Sequence, residues 1–167
     1  VVRVLTPGAV LDSENLDSKS NNYLASVYAG NAAYGLAYTD ISTGLFRTAV
    51  FGTIEELMDE IFQIEPKEIL LQEVSDDKHD LSASFGKSSS PLLTLLDSWV
   101  WDTDRARGLL LEHLSSGTLE AFGLENRPEA VSAAGALIQY LRDTQMEDMP
   151  PLDAPLYYEK SDFLLID

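Results

Sequence analysis

The sequence predicts an α/β fold built on a mixed sheet: an antiparallel three-strand meander, then parallel strands, with helices on the flanks. Three observations carry this. Three alternating segments between residues 23 and 51 are separated only by turn signals, Gly30-Asn31 and Ser42-Thr43-Gly44. Strands joined by turns that short run antiparallel. Beyond them, an amphipathic helical pattern lies between strand-like runs, and a helix joining two strands makes a parallel crossover. Finally, Phe122 to Gln145, FGLENRPEAVSAAGALIQYLRDTQ, is a small-residue helix with its own start signal.

Taken in order, residues 1–20 are mixed, with a turn at Pro7-Gly8 and a polar run from Asp12 to Ser20, and read as a linker segment. Tyr23 to Tyr28, Tyr34 to Ile41 and Leu45 to Phe51 are the three strands of the meander. Thr53, with Glu56 three residues on, has the spacing of a capping box. It opens a helix whose expected buried stripe is Ile54, Leu57, Met58, Ile61 and Phe62, ended by Pro66. Ile69-Leu70-Leu71 is an apolar run suited to a strand buried on both faces. Residues 75–90 are polar and Ser-rich with weak helical character. Ser98 to Trp101 reads as another strand, which would put Trp99 and Trp101 on one face, as core or as a ligand platform. Asp104 to Leu114 is a helix with Leu110, Leu111 and Leu114 on one side, followed by a short helical turn at Leu119–Phe122.

In the last helix Asn126 is placed to cap the first turn, with Glu129 three residues on. Pro128 falls where a missing N–H costs little. Ala130, Ala133, Ala134, Leu137, Ile138 and Leu141 recur at helical spacing, and alanines on a buried face let a helix lie close to its neighbour. Met149 to Pro155 is a Pro-rich linker, and Tyr157 to Ile166 starts something new. The expected division is a linker at 1–20, one domain at 21–148, and a linker with the truncated start of a further domain at 149–167. The order meander, helix, strand, helix, strand, helix is that of a ribonuclease-H-like fold.

Composition narrows the function. A hydrophobic content of 45% over 167 residues suffices for a packed core. The absence of cysteine excludes disulfides and fits a reducing, cytoplasmic setting. No apolar run approaches the roughly 18 residues that span a bilayer. The chain begins with Val and ends in an apolar run, Phe163 to Ile166, and is expected to be a piece of a longer protein. The net charge is −17, from 28 acidic and 11 basic residues. Nucleic-acid affinity rests largely on Lys and Arg neutralising phosphates, so little direct DNA contact is expected. The acidity serves solubility or a docking surface for a basic partner.

Candidate chemistry is sparse. Ribonuclease-H-like nucleases hold two metal ions on converging carboxylates; here Asp40, Glu68, Glu73 and Asp102 are the candidates for a metal-dependent nuclease or phosphotransferase. The alternative for Asp40 is bonding to the turn amides beyond it. Phe85-Gly86-Lys87-Ser88 imitates the end of a phosphate-binding loop, but Leu81 stands where that loop needs Gly. His79 and His113 lack metal-ligand spacing and read as solvated. No Ser lies in a nucleophile elbow. No catalytic, cofactor-binding or metal residue is expected. Arg105 and Arg107 stand out in so acidic a chain, either paired locally with Asp102 and Asp104 or forming a contact patch.

Four segments in sequence order resemble the MutS mismatch-repair family. VVRVLTPGAVLD is similar to the family's "V-x-R-x-x-TPG" opening. Asn22-Tyr23-Leu24 with GLAYTDISTGLF is similar to its first strands. The Phe122–Gln145 helix resembles the end of its connector domain, and PLYYEKSDFLLID the opening of its core domain. Residues 74–98 match only in length and pattern. The resemblance implies a connector domain with the ribonuclease-H-like fold, a non-catalytic relay between mismatch-binding and ATPase parts, and a docking surface for MutL. It implies that the complete protein is a dimeric ATPase, using ATP and Mg to clamp mispaired DNA, with other MutS domains and a second MutS subunit as partners. The mismatch-reading Phe-x-Glu and the P-loop lie in other domains. The docking surface would include the helix beginning near Asp104; the candidate contacts on it are Gly108 and Leu109, together with Arg105 and Arg107, chosen because rim charges set association rate and register. Gly108 and Leu109 stand where the family often carries a polar pair, a departure from its pattern.

Overall fold

The computed structural model describes residues 22–73, 81–85, 91–114, 118–144 and 151–159. The expectations for residues 1–20, His79, Gly86 to Ser88 and 160–167 lie outside these. The meander is β1 (Tyr23–Ala29), β2 (Tyr34–Asp40) and β3 (Leu45–Phe51), with both pairings antiparallel. Helix α1 (Ile54–Ile64) crosses to β4 (Glu68–Gln72), which pairs parallel with β1. Strand β5 (Leu92–Leu96) pairs parallel with β4, and a short β6 (Leu156–Tyr157) pairs parallel with β3. The six-stranded sheet runs β5-β4-β1-β2-β3-β6. Helices α2 (Thr103–Leu114) and α3 (Pro128–Asp143) complete the chain. This is the expected α/β arrangement, a mixed sheet flanked by helices as in a ribonuclease-H-like fold.

Alternation along the strands builds two cores. Leu24, Ala37, Phe46 and Leu70 face α3, while Ala25, Val27, Leu36, Ile69 and Leu71 face α1. Thr53 caps α1 by accepting the Glu56 N–H at 3.2 Å, as the spacing implied. The buried stripe of α1 differs: Leu57, Glu60, Ile61 and Ile64 are buried, whereas Phe62 is 81% exposed. Each residue advances about 100° around the axis, so Phe62 is turned away from the sheet once Ile61 faces it. Glu60 is held by the Tyr158 hydroxyl at 2.5 Å.

Helix α3 packs as its alanines require. It is buried without a break from Ala130 to Ile138, lying between the sheet and α2. A Cβ on Gly35 would come within 2.0 Å of the Glu129 carbonyl oxygen, and one on Gly135 within 2.3 Å of Ala106 Cβ. The helix thus touches β2 on one side and α2 on the other through positions without side chains. Its start differs from expectation. Asn126 has a left-handed φ of 65°, Arg127 is the N-cap, and no side chain caps the turn. Asn is among the few residues that tolerate that conformation, which takes its side chain out of the capping role.

Ser98 to Trp101 is a 3₁₀ turn, not a strand; the strand is Leu92–Leu96, just before it. The two tryptophans therefore do not share a face. Trp101 is 1% exposed and stacks on Tyr28 at 6.0 Å, while Trp99 is 50% exposed. His113 is half-buried rather than solvated, edge-on to Phe46 at 6.2 Å and 3.4 Å from the Asp153 carbonyl.

Candidate interaction surface

The exposed face of α2, which flanks its contact with α3, is set by how its start is pinned. Asp102 Oδ2 accepts the Arg105 N–H at 3.0 Å, capping the first turn. The Thr103 and Ser132 hydroxyls are 2.8 Å apart, and Ala106 lies against Gly135. With Ala106 and Leu110 buried, helical periodicity turns Arg105, Gly108, Leu109 and Glu112 outward. Arg105 and Gly108 are exposed, Leu109 is half-buried, and a Cβ on Gly108 would meet open space.

The guanidinium of Arg105 lies 4.5 Å over the Trp99 ring and donates to Gln139 Oε1 at 3.0 Å. Such stacking fixes an otherwise mobile cation. Beside it is an open depression of about 440 Å³ lined by Tyr28, Gln72, Ser98, Trp99, Trp101, Asp102 and Arg105. Farther along, Arg142 pairs with Glu112 at 3.0 Å. The structure thus brings Arg105, Gly108 and Leu109 onto one strip.

Arg107 lies off that strip. Its two amino groups reach both oxygens of Glu125, at 3.2 and 3.0 Å. Glu125 also accepts the Leu119 N–H at 3.1 Å and the Thr118 hydroxyl at 2.9 Å. The Arg107 bonds, then Leu119 and Thr118, hold the Glu125 carboxyl down at about 2, while Glu125 raises the guanidinium in turn. Neither arginine side chain is paired with Asp102 or Asp104. Their partners are Trp99 and Gln139 for one and Glu125 for the other. None of these three adjoins the arginines in sequence; Trp99 as a surface group was masked by its resemblance to a strand residue.

The carboxylates weighed as a nuclease site do not converge. Asp40 lies opposite Tyr23, and Glu68 beside Leu24. Consecutive residues of β1 face opposite sides, so the two carboxylates do as well. Asp40 accepts the Ser42 N–H at 2.9 Å and its hydroxyl at 2.5 Å, the local turn role. Glu68 is fully buried and accepts the Thr94 and Tyr140 hydroxyls, each at 2.7 Å. Asp102 caps α2, and Glu73 is exposed past the end of β4. Among the described residues no group of three or more His, Asp or Glu is placed to hold a metal ion. Leu81 is buried in the core on the α1 side. No helix among them is long and apolar enough to cross a membrane.

Comparison with known proteins agrees with this architecture. Residues 22–153 match the family described as MutS domain II. The whole chain aligns with the DNA mismatch repair protein MutS of Dehalococcoides mccartyi strain 195 at 40% identity, covering 19% of that protein. It aligns likewise with those of Desulfatibacillum aliphaticivorans, at 35% over 19%, and Synechococcus elongatus, at 35% over 20%. The chain therefore spans about a fifth of these relatives. With a family match over most of its length and this identity end to end, the chain belongs to the MutS domain II family, the connector domains of DNA mismatch-repair proteins.

Proposed function

We propose that the chain is a non-catalytic connector within a longer, cytoplasmic MutS protein, relaying rearrangement between its mismatch-binding and ATPase parts and offering α2 as a docking surface for MutL. The observation that carries the docking role is the strip Arg105–Gly108–Leu109 with the Arg105–Trp99 stack beside it. Tryptophan and arginine are the residue types that most often anchor interfaces, and here they are held together before any partner arrives. Gly108 and Leu109 replace the polar pair common in the family, so Arg105 and Trp99 take the larger share of recognition. Arg107 acts behind the surface, through Glu125. In the complete protein, ATP and Mg, the mispaired DNA and the second MutS subunit belong to other domains. The residues 149–167 lead from the connector toward the core domain, as residues 1–20 lead into it.

The test is titration calorimetry with the N-terminal domain of the cognate MutL. Arg105→Glu is expected to weaken binding on the order of tenfold, with an unchanged melting temperature because the side chain is exposed. Equal affinity for Arg105→Glu and the parent would remove this strip from the interface.

A further inference from the structure

The segment that leaves the domain does not hang free. Asp153 N–H donates to Gly44 at 2.8 Å, and Tyr158 N–H to Thr48 at 2.9 Å, so residues 153–158 run along the edge of β3. On the α3 side of the sheet this exit strand meets the loop 118–127 through Tyr157. Arg127 lies 3.9 Å over the Tyr157 ring and pairs with Glu159 at 3.5 Å. A Cβ on Gly123 would be 3.1 Å from Tyr157 Cβ.

That loop is a closed unit. Leu124 N–H donates to Leu119 at 3.3 Å, Arg127 N–H to Leu124 at 3.2 Å, and the Arg127 side chain to Gly123 at 2.8 Å. Leu119 and Leu124 are fully buried beneath it. Its opposite side is hooked to α2 by the two-pronged Arg107–Glu125 pair, whose carboxylate also holds the Leu119 amide inside the loop. One carboxylate thus ties the docking helix to the loop, and one guanidinium two residues later ties the loop to the exit strand.

From this juxtaposition we propose that residues 118–127 form a mechanical latch. It couples the state of α2 to the attachment of the exit strand, so that an event on the α2 face changes how firmly the chain leaving the domain is held. This deepens the docking reading and rests on it only for the identity of the event. The coupling itself is a property of this chain. Coupling of this kind requires two elements biased together, not mere proximity. The pairs involved are half-exposed, so their strength suits a device that opens and closes.

The experiment is amide hydrogen exchange resolved at Asp153 and Tyr158, which reports local opening of the exit strand. Glu125→Gln removes the hook to α2 without touching the exit strand. Arg142→Gln, which breaks the exposed Arg142–Glu112 pair between α3 and α2 and leaves the loop 118–127 untouched, is the control. Glu125→Gln is expected to speed exchange at Asp153 and Tyr158 about two- to fivefold, with Ile69 in the central sheet unchanged. Arg142→Gln is expected to leave all three as they are. Unchanged exchange at Asp153 and Tyr158 in Glu125→Gln would overturn the latch, as would equal acceleration at Ile69, which reports global loosening. Adding the MutL domain separates the two readings. Binding with no change in exit-strand exchange sinks the latch and leaves docking standing. Acceleration by Glu125→Gln in a chain that binds no MutL keeps the latch and sinks the docking role.

Discussion

Gly108 and Gly135 stand on the two helices that pack against each other, and their missing side chains mean opposite things. Gly108 faces open space, so its absent Cβ only lowers helix propensity. Gly108→Ala is expected to raise stability by about 0.5–1 kcal/mol. Gly135→Ala must force α2 and α3 apart, since the new carbon would lie 2.3 Å from Ala106 Cβ; a loss of about 1–3 kcal/mol is expected. Urea midpoints of the two variants should move in opposite directions, and a shared direction would contradict the packing described. Glu125 gives a pH signature. Its folded carboxyl titrates at about 2 against an ordinary 4.5, so the folded state binds fewer protons between those values. The stabilisation is present above about pH 4.5 and is lost as pH falls toward 2. In urea titrations from pH 6 to 2, the stability gap between parent and Glu125→Gln should close across that window. A constant gap would mean that Glu125 is not held as described. The Arg107–Glu125 pair was not legible in the sequence because the partners are 18 residues apart, while Asp102 and Asp104 offered nearer and wrong candidates.

At the scale of elements, local pattern succeeded where one period dominated. The small-residue stripe of α3 and the meander with its turns were readable because burial on a single face leaves a clear spacing. It failed where a compact turn imitated that spacing. Ser98 to Trp101 alternates like a strand, but in a 3₁₀ turn the residues at 98 and 101 align instead, so only one tryptophan is buried. The start of α3 is a similar case. Asn three residues before Glu has the look of a cap, yet a left-handed Asn126 serves the turn that delivers Arg127 to the exit strand. Substitution distinguishes the two roles. A capping site accepts Thr, whereas the left-handed site favours Gly and costs a β-branched residue about 1–2 kcal/mol. Thermal unfolding is expected to show Asn126→Gly close to the parent and Asn126→Thr clearly destabilised; the reverse order would restore the cap.

Across the whole molecule, the sheet order was largely foreseeable, since a meander followed by a crossover helix leaves few topologies. The sixth strand was not. Leu156 and Tyr157 belong to a stretch that reads as linker and new beginning, and only long-range pairing with Arg47 and Thr48 makes them part of the sheet. The charge also acts at this scale. At −17 the chain repels a polyanion, and its cations at the α2–α3 face are engaged by Trp99, Gln139, Glu125 and Glu112. Gel shifts with matched or G·T-mismatched duplexes at physiological salt are expected to show no submicromolar binding; such binding would require a basic surface that the described residues do not form. The docking role is the central claim, and chemical-shift mapping tests it most directly. Unlabelled MutL N-terminal domain is added to the labelled chain. Perturbations are expected to concentrate on the Trp99 indole and the amides of Arg105, Gly108 and Leu109. Perturbations concentrated instead around the exposed Phe62 of α1, on the other face of the sheet, would contradict the account.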